Sequence, residues 1–180
     1  MAKRPLPSPE ELRQLLRYEP ETGKLFWRER GLEWFQDERS CKSWNSRFAN
    51  TEALSSPHNA GYLHGNVLSG KQLAHRVIWA IVTGEWPEGD IDHDDGDKSN
   101  NRWKNLRPAT NAENMQNKKV RRDSSTGLKG VQRHRTGRFT ANITAHGTKY
   151  YLGLFASLEE AKAAYDAAAI RLHGKYANLG

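Results

Sequence analysis

The sequence predicts an α+β protein in which helices and antiparallel strands form small units. Apolar and polar residues alternate along Phe139–Thr144, as in a half-buried strand. Two capping-box sequences, Thr110–Glu113 and Ser157–Glu160, each mark the start of a helix. Apolar residues also recur at helical spacing over Ala74–Ile81. We therefore expect a strand hairpin followed by a helix in the middle of the chain, and a three-stranded antiparallel sheet with one packed helix at its end.

The N-terminal stretch is the least regular part of the chain, but its pattern indicates one helix and two strands. Ser8 precedes a proline and two glutamates, and leucines recur at helical spacing over Leu12–Leu16. This pattern predicts a short capped helix before the turn residues Pro20–Gly23. Short strands are predicted at Leu25–Trp27 and Tyr62–Leu68, where glycines punctuate the chain.

The middle of the chain begins with the apolar helix at Ala74–Ile81. Gly84 and Pro87 follow it, and a glycine with a proline just beyond is typical of a helix end. A strand, an acidic turn, a polar loop and a second strand come next. The capping box at Thr110–Glu113 then begins a helix that we expect to continue to about Lys119.

The C-terminal stretch has the most regular pattern. Strands are predicted at Phe139–Thr144 and Lys149–Leu152, joined by a turn at His146–Gly147, with a third strand at Gly130–His134. The capping box that begins at Ser157 opens a helix with a stripe of apolar and small residues. Small residues allow such a helix to pack closely across a sheet.

These patterns divide the chain into four parts. Residues 1–70 form an N-terminal accessory module, residues 71–120 the hairpin and helix, residues 121–126 a basic linker, and residues 127–180 the sheet with its packed helix. A chain of 180 residues is long enough for two small domains.

Composition excludes several classes of protein. The longest apolar run, Val77–Val82, is far shorter than the roughly 20 residues that cross a bilayer, and no apolar signal segment follows Met1. The single cysteine, Cys41, excludes an internal disulfide and zinc sites built on paired cysteines. We therefore expect a soluble cytoplasmic protein in which oxygen and imidazole groups hold any metal.

The net charge of the chain favours a polyanionic partner. Lys and Arg number 28 against 21 Asp and Glu, a formal charge of +7. Each phosphate that such a protein neutralises releases condensed counterions, so nucleic acid is the first candidate partner. A basic surface that serves only solubility is the alternative.

Six acidic residues lie close together although the protein as a whole is cationic. They are Glu88, Asp90, Asp92, Asp94, Asp95 and Asp97. Such a concentration favours cation binding or proton transfer, and a solvated acidic turn has the same composition. A calcium loop counted from Asp90 would need glycine at its sixth position and glutamate at its twelfth, where this chain has Asp95 and Asn101. The spacing therefore does not fit a calcium loop.

The combination with the clearest chemistry is Asp92–His93 together with Asn105 and Asn114. In phosphodiester hydrolysis a carboxylate can bind a divalent ion while a neighbouring imidazole takes the proton from the attacking water. Asn114, in the first turn of the predicted helix, is placed to supply a second oxygen ligand. His75, at the start of the apolar helix, is interpreted as structural or phosphate-contacting.

Several short motifs lie within or next to residues 75–119. They are Ala74–Arg76, Gly84–Pro87, Ile91–His93, Asp95–Gly96, Asn100–Asn101, Asn105–Arg107 and Glu113–Asn114. With these motifs the segment resembles an HNH endonuclease of the phage and homing-endonuclease type. The resemblance implies a ββα-metal fold, in which a hairpin and a helix hold a metal ion.

The same resemblance implies a role for each residue of the site. Asp92 and Asn114 match the metal ligands. His93 matches the general base, and Asn105 matches the asparagine that holds the hairpin loop and orients the base. The last residue of the motif is Asn114 in place of histidine, and a neutral oxygen ligand favours Mg²⁺ (or Mn²⁺) over zinc.

A second set of motifs covers nearly all of residues 126–179. They are Lys129–Val131, Gly137–Ala141, Tyr151–Gly153, Phe155, Glu159–Ala161, Ala164–Asp166, Ala168–Ala169, Gly174 and Ala177–Leu179. With them the segment resembles the DNA-binding domain of the plant apetala and ethylene-response transcription factors, which also occurs in phage HNH nucleases. The resemblance implies that the exposed sheet face enters the major groove. The residues implied to contact DNA are Gln132, His134, Arg138, Asn142, Thr144, Lys149 and Tyr151.

Strand alternation places part of this set on one face without reference to any family. The residues it places away from the helix are Asn142, Thr144, Lys149 and Tyr151. Several arginine and tryptophan positions of the plant domains differ here. They are Gln132, His134, Thr136 and Thr144. The target sequence of the plant proteins therefore does not transfer to this chain.

The segment between the two predicted units is strongly basic. Its cations are Lys118, Lys119, Arg121, Arg122, Lys129, Arg133, Arg135 and Arg138, with Asp123 as the one opposing charge in the sequence. Such a run suits a phosphate backbone. From it we add Lys118, Lys119, Arg121, Arg122 and Arg133 to the predicted DNA contacts. A flexible basic linker without fixed contacts is the alternative.

The sequence as a whole predicts a divalent-metal-dependent DNA endonuclease of the homing type, acting in the cytoplasm of a bacterium or a phage host. Its expected partner is double-stranded DNA, with no membrane. One site per chain would nick DNA, and a homodimer or a second encounter would cut both strands. Tyr18–Trp27, Gly61–Tyr62 and Gly70–Lys71 resemble a module that precedes HNH domains in phage genomes, which implies structural support or added DNA contact.

Two other functions remain open. One is a sequence-specific DNA-binding regulator with an inactive nuclease unit. An RNA-directed function is less well supported, because the strands carry no aromatic RNA-binding signature.

Overall fold

The computed structural model describes residues 5–68, 70–110, 113, 120, 124–145, 147–177 and 179. The chain divides into two compact units, Met1–Pro108 and Ala109–Gly180. We call them the N-terminal unit and the C-terminal unit.

The N-terminal unit opens with a helix that leads directly into a three-stranded antiparallel sheet. Helix α1 (Pro9–Leu15) begins with Ser8 as its cap, as predicted, and Glu11 completes a capping box. The strands are β1 (Leu16–Glu19), β2 (Lys24–Trp27) and β3 (Glu52–Ala53), in that spatial order. Helix α2 (Glu38–Phe48) lies between β2 and β3 in the chain. The sequence analysis did not predict α2, which has three apolar residues, Cys41, Trp44 and Phe48, and no buried residue.

A second sheet, a helix and a hairpin complete the N-terminal unit. The sheet strands are β4 (Ser56–Pro57), β5 (Leu63–Val67) and β6 (Gly70–Leu73). Helix α3 (Ala74–Thr83) ends at Gly84 in the left-handed conformation, with φ of 85°, which confirms the predicted C-cap. Strands β7 (Asp90–His93) and β8 (Leu106–Ala109) then pair as the predicted hairpin.

The helix predicted after β8 falls largely outside the described residues. Thr110 and Glu113 form the predicted capping box, because Glu113 N–H donates to Thr110 Oγ1 at 3.3 Å and Thr110 N–H donates to Glu113 Oε2 at 2.7 Å. Glu113 is helical. Residues 111, 112 and 114–119 lie outside the described residues, so the ββα arrangement is described for its two strands and the beginning of its helix.

One hydrophobic core joins the elements of the N-terminal unit. Helix α1 packs against α3, and Leu12, Leu15, Val77 and Ile78 are all 0% exposed. Burying each such side chain contributes roughly 1.5–3 kcal/mol. The core also contains Leu25 from β2, Ala53 from β3, Ile91 from β7 and Leu106 from β8. The boundary predicted between residues 70 and 71 therefore falls inside one compact unit, because the apolar faces on either side of it cover each other.

The C-terminal unit is a three-stranded antiparallel sheet with one helix. Its strands are β9 (Val131–Arg133), β10 (Phe139–Ala145) and β11 (Thr148–Phe155), with β10 in the middle. Helix α4 (Leu158–His173) begins with the predicted capping box at Ser157 and Glu160. It covers one face of the sheet. The buried residues of this contact are Val131, Ala141, Ile143, Ala161, Tyr165, Ala168 and Ala169. The predicted arrangement of sheet and helix is confirmed.

Short 3-10 turns lie at Leu32–Trp34, Trp103–Asn105 and Gly174–Tyr176. Among the described helices, none is both long enough and apolar enough to cross a bilayer.

Candidate active site and nucleic-acid interface

The acidic turn connects the two strands of the β7–β8 hairpin. The chain leaves β7 at Asp92 and His93 and turns back at once, because Gly96 N–H donates to His93 O at 2.8 Å. Asp94 N–H donates to Asn105 O at 2.9 Å, which closes the base of the loop. Asp92 and His93 are 7% and 3% exposed, so the two residues with the clearest chemistry lie buried at the foot of an exposed loop.

Asn105 holds this loop together. Its Oδ1 accepts the N–H of Asp95 at 3.0 Å, and its Nδ2 donates to Asp95 Oδ1 at 3.0 Å and to Asn100 O at 2.7 Å. Partial burial raises the pKa of Asp95, but hydrogen bonds from Asn100, the Asp97 N–H and Asn105 outweigh it and hold the pKa below its usual value. Asn105 therefore spans the loop from side to side.

His93 is contacted by a different asparagine from the one that the resemblance indicated. Its Nε2 lies 3.0 Å from Oδ1 of Asn101, a side chain that is 1% exposed. Because an amide oxygen can only accept, a hydrogen bond across this contact requires the imidazole proton on Nε2. The sequence motif Asn100–Asn101 contains this residue but predicted no role for it. Only its contact with His93, eight positions away in the chain, distinguishes it from the other asparagines of the loop.

Two further rings enclose His93. The His75 ring stands nearly perpendicular to it at 5.2 Å between centroids, and the Tyr62 ring lies at 5.8 Å. Burial lowers the pKa of His93, against the opposing effects of Asn101 and nearby carboxylates, so the imidazole is neutral at pH 7. Burial, together with the neighbouring His93 ring and the cations Arg76 and Lys98, lowers the pKa of His75 to about 3. A neutral imidazole can accept a proton, which a general base must do.

Asp92 forms a buried ion pair that the sequence did not indicate. Arg107, on the opposite strand, donates from Nε and Nη2 to Asp92 Oδ2 at 2.9 and 2.8 Å. A third guanidinium nitrogen, Nη1, pairs with Asp94. Arg107 therefore neutralises part of the negative charge at the start of the loop and fixes the orientation of the Asp92 carboxylate.

Of the two predicted metal ligands, Asp92 lies among the described residues. Asn114 lies outside the described residues. Within the described part of the chain, no group of three or more His, Cys, Asp or Glu side chains could hold a metal ion. The donor available beside His93 is the carboxylate of Asp92, a hard oxygen ligand of the kind that Mg²⁺ and Mn²⁺ prefer. Mg²⁺ is commonly held by one or two carboxylates while water and substrate phosphate complete its coordination, so this donor chemistry fits such an ion.

The C-terminal sheet carries a polar face on the side opposite α4. Strand register pairs Thr140 with Gln132, Asn142 with Tyr151, and Thr144 with Lys149, and directly paired residues project from the same face. Val131, Ala141 and Ile143 alternate with these residues and are buried against α4. Tyr151 is 64% exposed. Thr140 belongs to this face although sequence reasoning did not include it.

The remaining predicted contacts of the C-terminal unit lie elsewhere. His134 and Arg138 flank the tight turn between β9 and β10, where His134 N–H donates to Arg138 O at 2.8 Å. Arg133 pairs with Phe139, whose alternation places it on the α4 side of the sheet, and its guanidinium lies 5.3 Å from the Phe139 ring centre. Arg133 therefore projects away from the polar face. The predicted contacts Lys118, Lys119, Arg121 and Arg122 lie outside the described residues.

Comparison with known proteins gives a family match for the middle of the chain. Residues 72–116 match the family model described as HNH endonuclease. An uncharacterized HNH endonuclease of Acanthamoeba polyphaga mimivirus is 32% identical over 110 residues, which cover 60% of this chain and 57% of the viral protein. The chain thus spans somewhat more than half the length of that relative. No solved structure matches the chain. The middle of the chain is therefore similar to HNH endonucleases, and Asp92, His93 and Asn105 lie within the matched segment.

Proposed function

We propose that this protein is a divalent-metal-dependent DNA endonuclease of the homing type that hydrolyses phosphodiester bonds. The observation that carries the proposal is the pair of buried neighbours Asp92 and His93 at the foot of a loop held by Asn105. The match of residues 72–116 to the HNH endonuclease family supports the same reaction class.

In this proposal His93 is the general base. Its pKa is lowered by burial, so the ring is neutral at pH 7. With Nε2 engaged by Asn101, the nitrogen that takes the proton from the attacking water is Nδ1. Asn105 keeps the loop in the conformation that presents His93, and its own role is therefore positional.

Asp92 and Asn114 would hold the divalent ion, Mg²⁺ or Mn²⁺. When bound, such an ion supplies positive charge that stabilises the developing charge on the phosphate and the leaving oxygen. Arg107 holds the Asp92 carboxylate in one orientation by two hydrogen bonds to a single oxygen. The carboxylate is thus oriented before an ion binds.

The C-terminal unit would bind the DNA. Residues 109–180 contain 12 Lys and Arg against 5 Asp and Glu, so they account for the entire net charge of +7, while residues 1–108 are formally neutral. A net positive charge attracts the phosphate backbone without regard to sequence. The polar face of Gln132, Thr140, Asn142, Thr144, Lys149 and Tyr151 offers donors and acceptors for base edges, which supports a role in choosing the site.

The direct test is plasmid cleavage by the full chain with Mg²⁺ or Mn²⁺. We expect the wild type to nick supercoiled DNA, and we expect His93→Ala to lose about 10²-fold or more in rate because general-base catalysis is removed. His58→Ala is the control, because the His58 ring contacts His64 and its Nδ1 accepts the N–H of Ala60. Equal rates for the wild type and His93→Ala would contradict the proposal.

The Arg107–Asp92 ion pair favours a second candidate function. If the guanidinium keeps the carboxylate from an ion, the protein would be a sequence-specific DNA-binding regulator with an inactive nuclease unit. The same experiment distinguishes the two, because the regulator would shift DNA in a gel and leave it uncut with either ion.

A further inference from the structure

The turn between β1 and β2 packs directly on the loop that contacts His93. Tyr18 O–H donates to the backbone oxygen of Asn101 at 2.8 Å. Arg102 Nε donates to Glu21 O at 2.7 Å, and Trp103 N–H lies 3.4 Å from Pro20 O. Three consecutive residues, 101 to 103, are thus tied to the end of β1 and the turn that follows it, about 80 positions earlier in the chain.

Gly23 shows how closely these two segments approach. Its φ is +77°, and a Cβ at this position would lie 2.5 Å from Arg102 N and 2.6 Å from Asn101 C. Both are backbone atoms, so a side chain there could be accommodated only by moving the loop. A larger residue at position 23 would therefore displace Asn101 itself.

Asn101 connects this packing to the base. Its backbone is held by Tyr18 and Gly23, and its side-chain oxygen lies 3.0 Å from His93 Nε2. Asn101 Nδ2 is buried and has no hydrogen-bond partner among the described residues. Since the amide gains no second bond there, its orientation depends on where the backbone is held. The N-terminal turn lies outside residues 72–116, the part of the chain that matches the HNH family model.

We propose that the β1–β2 turn is a positioning element for His93. By fixing residues 101–103 it holds Asn101 Oδ1 at Nε2 and so fixes the orientation and the tautomer of the His93 ring. This inference rests on the proposed nuclease function and assigns to residues 16–27 a part in catalysis without contact with substrate. Tyr18, Gly23 and Asn101 are its positioning residues.

The first test measures the His93 ring and does not depend on cleavage. Nitrogen-15 imidazole spectra of the full chain, with the His93 signals assigned by their loss in His93→Ala, should give the Nε2–H tautomer in the wild type. Tyr18→Phe and Asn101→Leu should shift these signals or mix the tautomers. Gly84→Ala is the matched control for Gly23→Ala, because Gly84 also has positive φ, at +85°, but its nearest neighbour would be a flexible Arg13 nitrogen at 3.5 Å.

The second test separates positioning from stability through kinetics. Tyr18→Phe should lower kcat several-fold, and Gly23→Ala and Asn101→Leu about 10- to 100-fold, with KM for DNA unchanged, since small misplacement of a catalytic group is costly. Asn101→Asp, which keeps an acceptor oxygen, should recover more activity than Asn101→Leu. Gly84→Ala should keep the wild-type kcat at temperatures where tryptophan fluorescence reports a folded N-terminal unit.

Two results would overturn the inference. One is an Nδ1–H tautomer of His93 in the wild type. The other is Tyr18→Phe and Asn101→Leu variants with wild-type kcat and wild-type His93 signals. A wild type that cuts no DNA would refute the nuclease proposal instead, and the imidazole spectra would still decide whether the turn positions His93. If Gly23→Ala fails to fold, the inference is tested by Tyr18→Phe, which removes only one hydroxyl group.

Discussion

Tyr18 and Asn101 are 83 positions apart in the chain, yet the Tyr18 hydroxyl donates to the Asn101 carbonyl at 2.8 Å. Burial raises the pKa of Tyr18 to about 12, so this hydroxyl remains a donor throughout the physiological range. The loop of the hairpin that contains His93 is therefore held in place by a residue of the first sheet. The position of this loop depends on residues far from the acidic turn.

Asn105→Ala should weaken both the fold and the loop. The substitution removes three hydrogen bonds and leaves Asp95 and the Asn100 carbonyl without this donor, which costs about 1–3 kcal/mol. We also expect cleavage to fall, because the loop no longer presents His93. Asn45→Ala is the control, since Asn45 makes similar bonds to the Arg30 backbone. Urea unfolding and plasmid cleavage would be measured together, and an Asn105→Ala enzyme that cuts as fast as Asn45→Ala would contradict the prediction.

His75 should make the N-terminal unit sensitive to acid. Its pKa is about 3 when folded and about 6.5 when unfolded, so the unfolded chain binds the extra proton as the pH falls between these values. The free energy of unfolding that depends on a neutral His75 is fully present above pH 6.5. It falls as the pH falls, by about 2 kcal/mol at pH 5. His75→Phe should remove this loss.

Tryptophan fluorescence can follow that transition alone, because all six tryptophans lie in residues 1–108. His173→Phe, in the C-terminal unit, is the control and should leave the measured pH dependence as it is in the wild type. A His75→Phe variant that loses as much stability between pH 7 and pH 5 as the wild type would show that His75 is not the source.

Arg107→Gln should lower the Mg²⁺ concentration that gives half-maximal cleavage. The guanidinium lies 2.8 Å from the Asp92 oxygen and competes electrostatically with any cation there. Removing that charge should strengthen cation binding by about threefold or more, because the side chains are only 17% and 8% exposed and solvent screens them weakly. Arg76→Gln is the control, since Arg76 donates to the backbone oxygens of Pro87 and Gly89. An unchanged or higher Mg²⁺ requirement would contradict this account.

Lys149→Ala should reduce the salt dependence of DNA binding. A lysine that contacts one phosphate contributes about 0.9 to the slope of log K against log salt concentration. Gln132→Ala should instead alter the preferred sequence with little change in that slope. Lys162→Ala is the control, because Lys162 pairs with Asp166 on α4. Gel-shift titrations at several salt concentrations would check this, and equal slopes for the wild type and Lys149→Ala would exclude a phosphate contact.

Local patterns predicted the elements well. The N-cap at Ser8, the capping boxes at Thr110 and Ser157 and the C-cap at Gly84 each depend on residues within one turn of helix, and the structure has all four. Alternation likewise placed Asn142 and Thr144 on the face away from α4, because the period of a strand is independent of its partners.

Long-range contacts could not be predicted in this way. Asn101 has the same local chemistry as the other asparagines of the loop, and only the fold brings it to His93. Arg107 is separated from Asp92 by 15 positions, and their ion pair requires the register of the hairpin. Arg133 was counted with the basic segment, but its strand position turns it toward Phe139.

The shared hydrophobic core of α1, the first sheet and α3 also limits where recombination between related genes can join two segments. A crossover near residue 71 would part Leu12 and Leu15 from Val77 and Ile78, leaving both fragments with uncovered apolar surface. A crossover near residue 109 would preserve both hydrophobic clusters. It would nevertheless separate Asp92 and His93 from Asn114 and divide residues 72–116, which match the HNH family model. Descendants of this gene should therefore exchange the C-terminal sheet at a junction within residues 121–126 and inherit residues 1–120 as one piece.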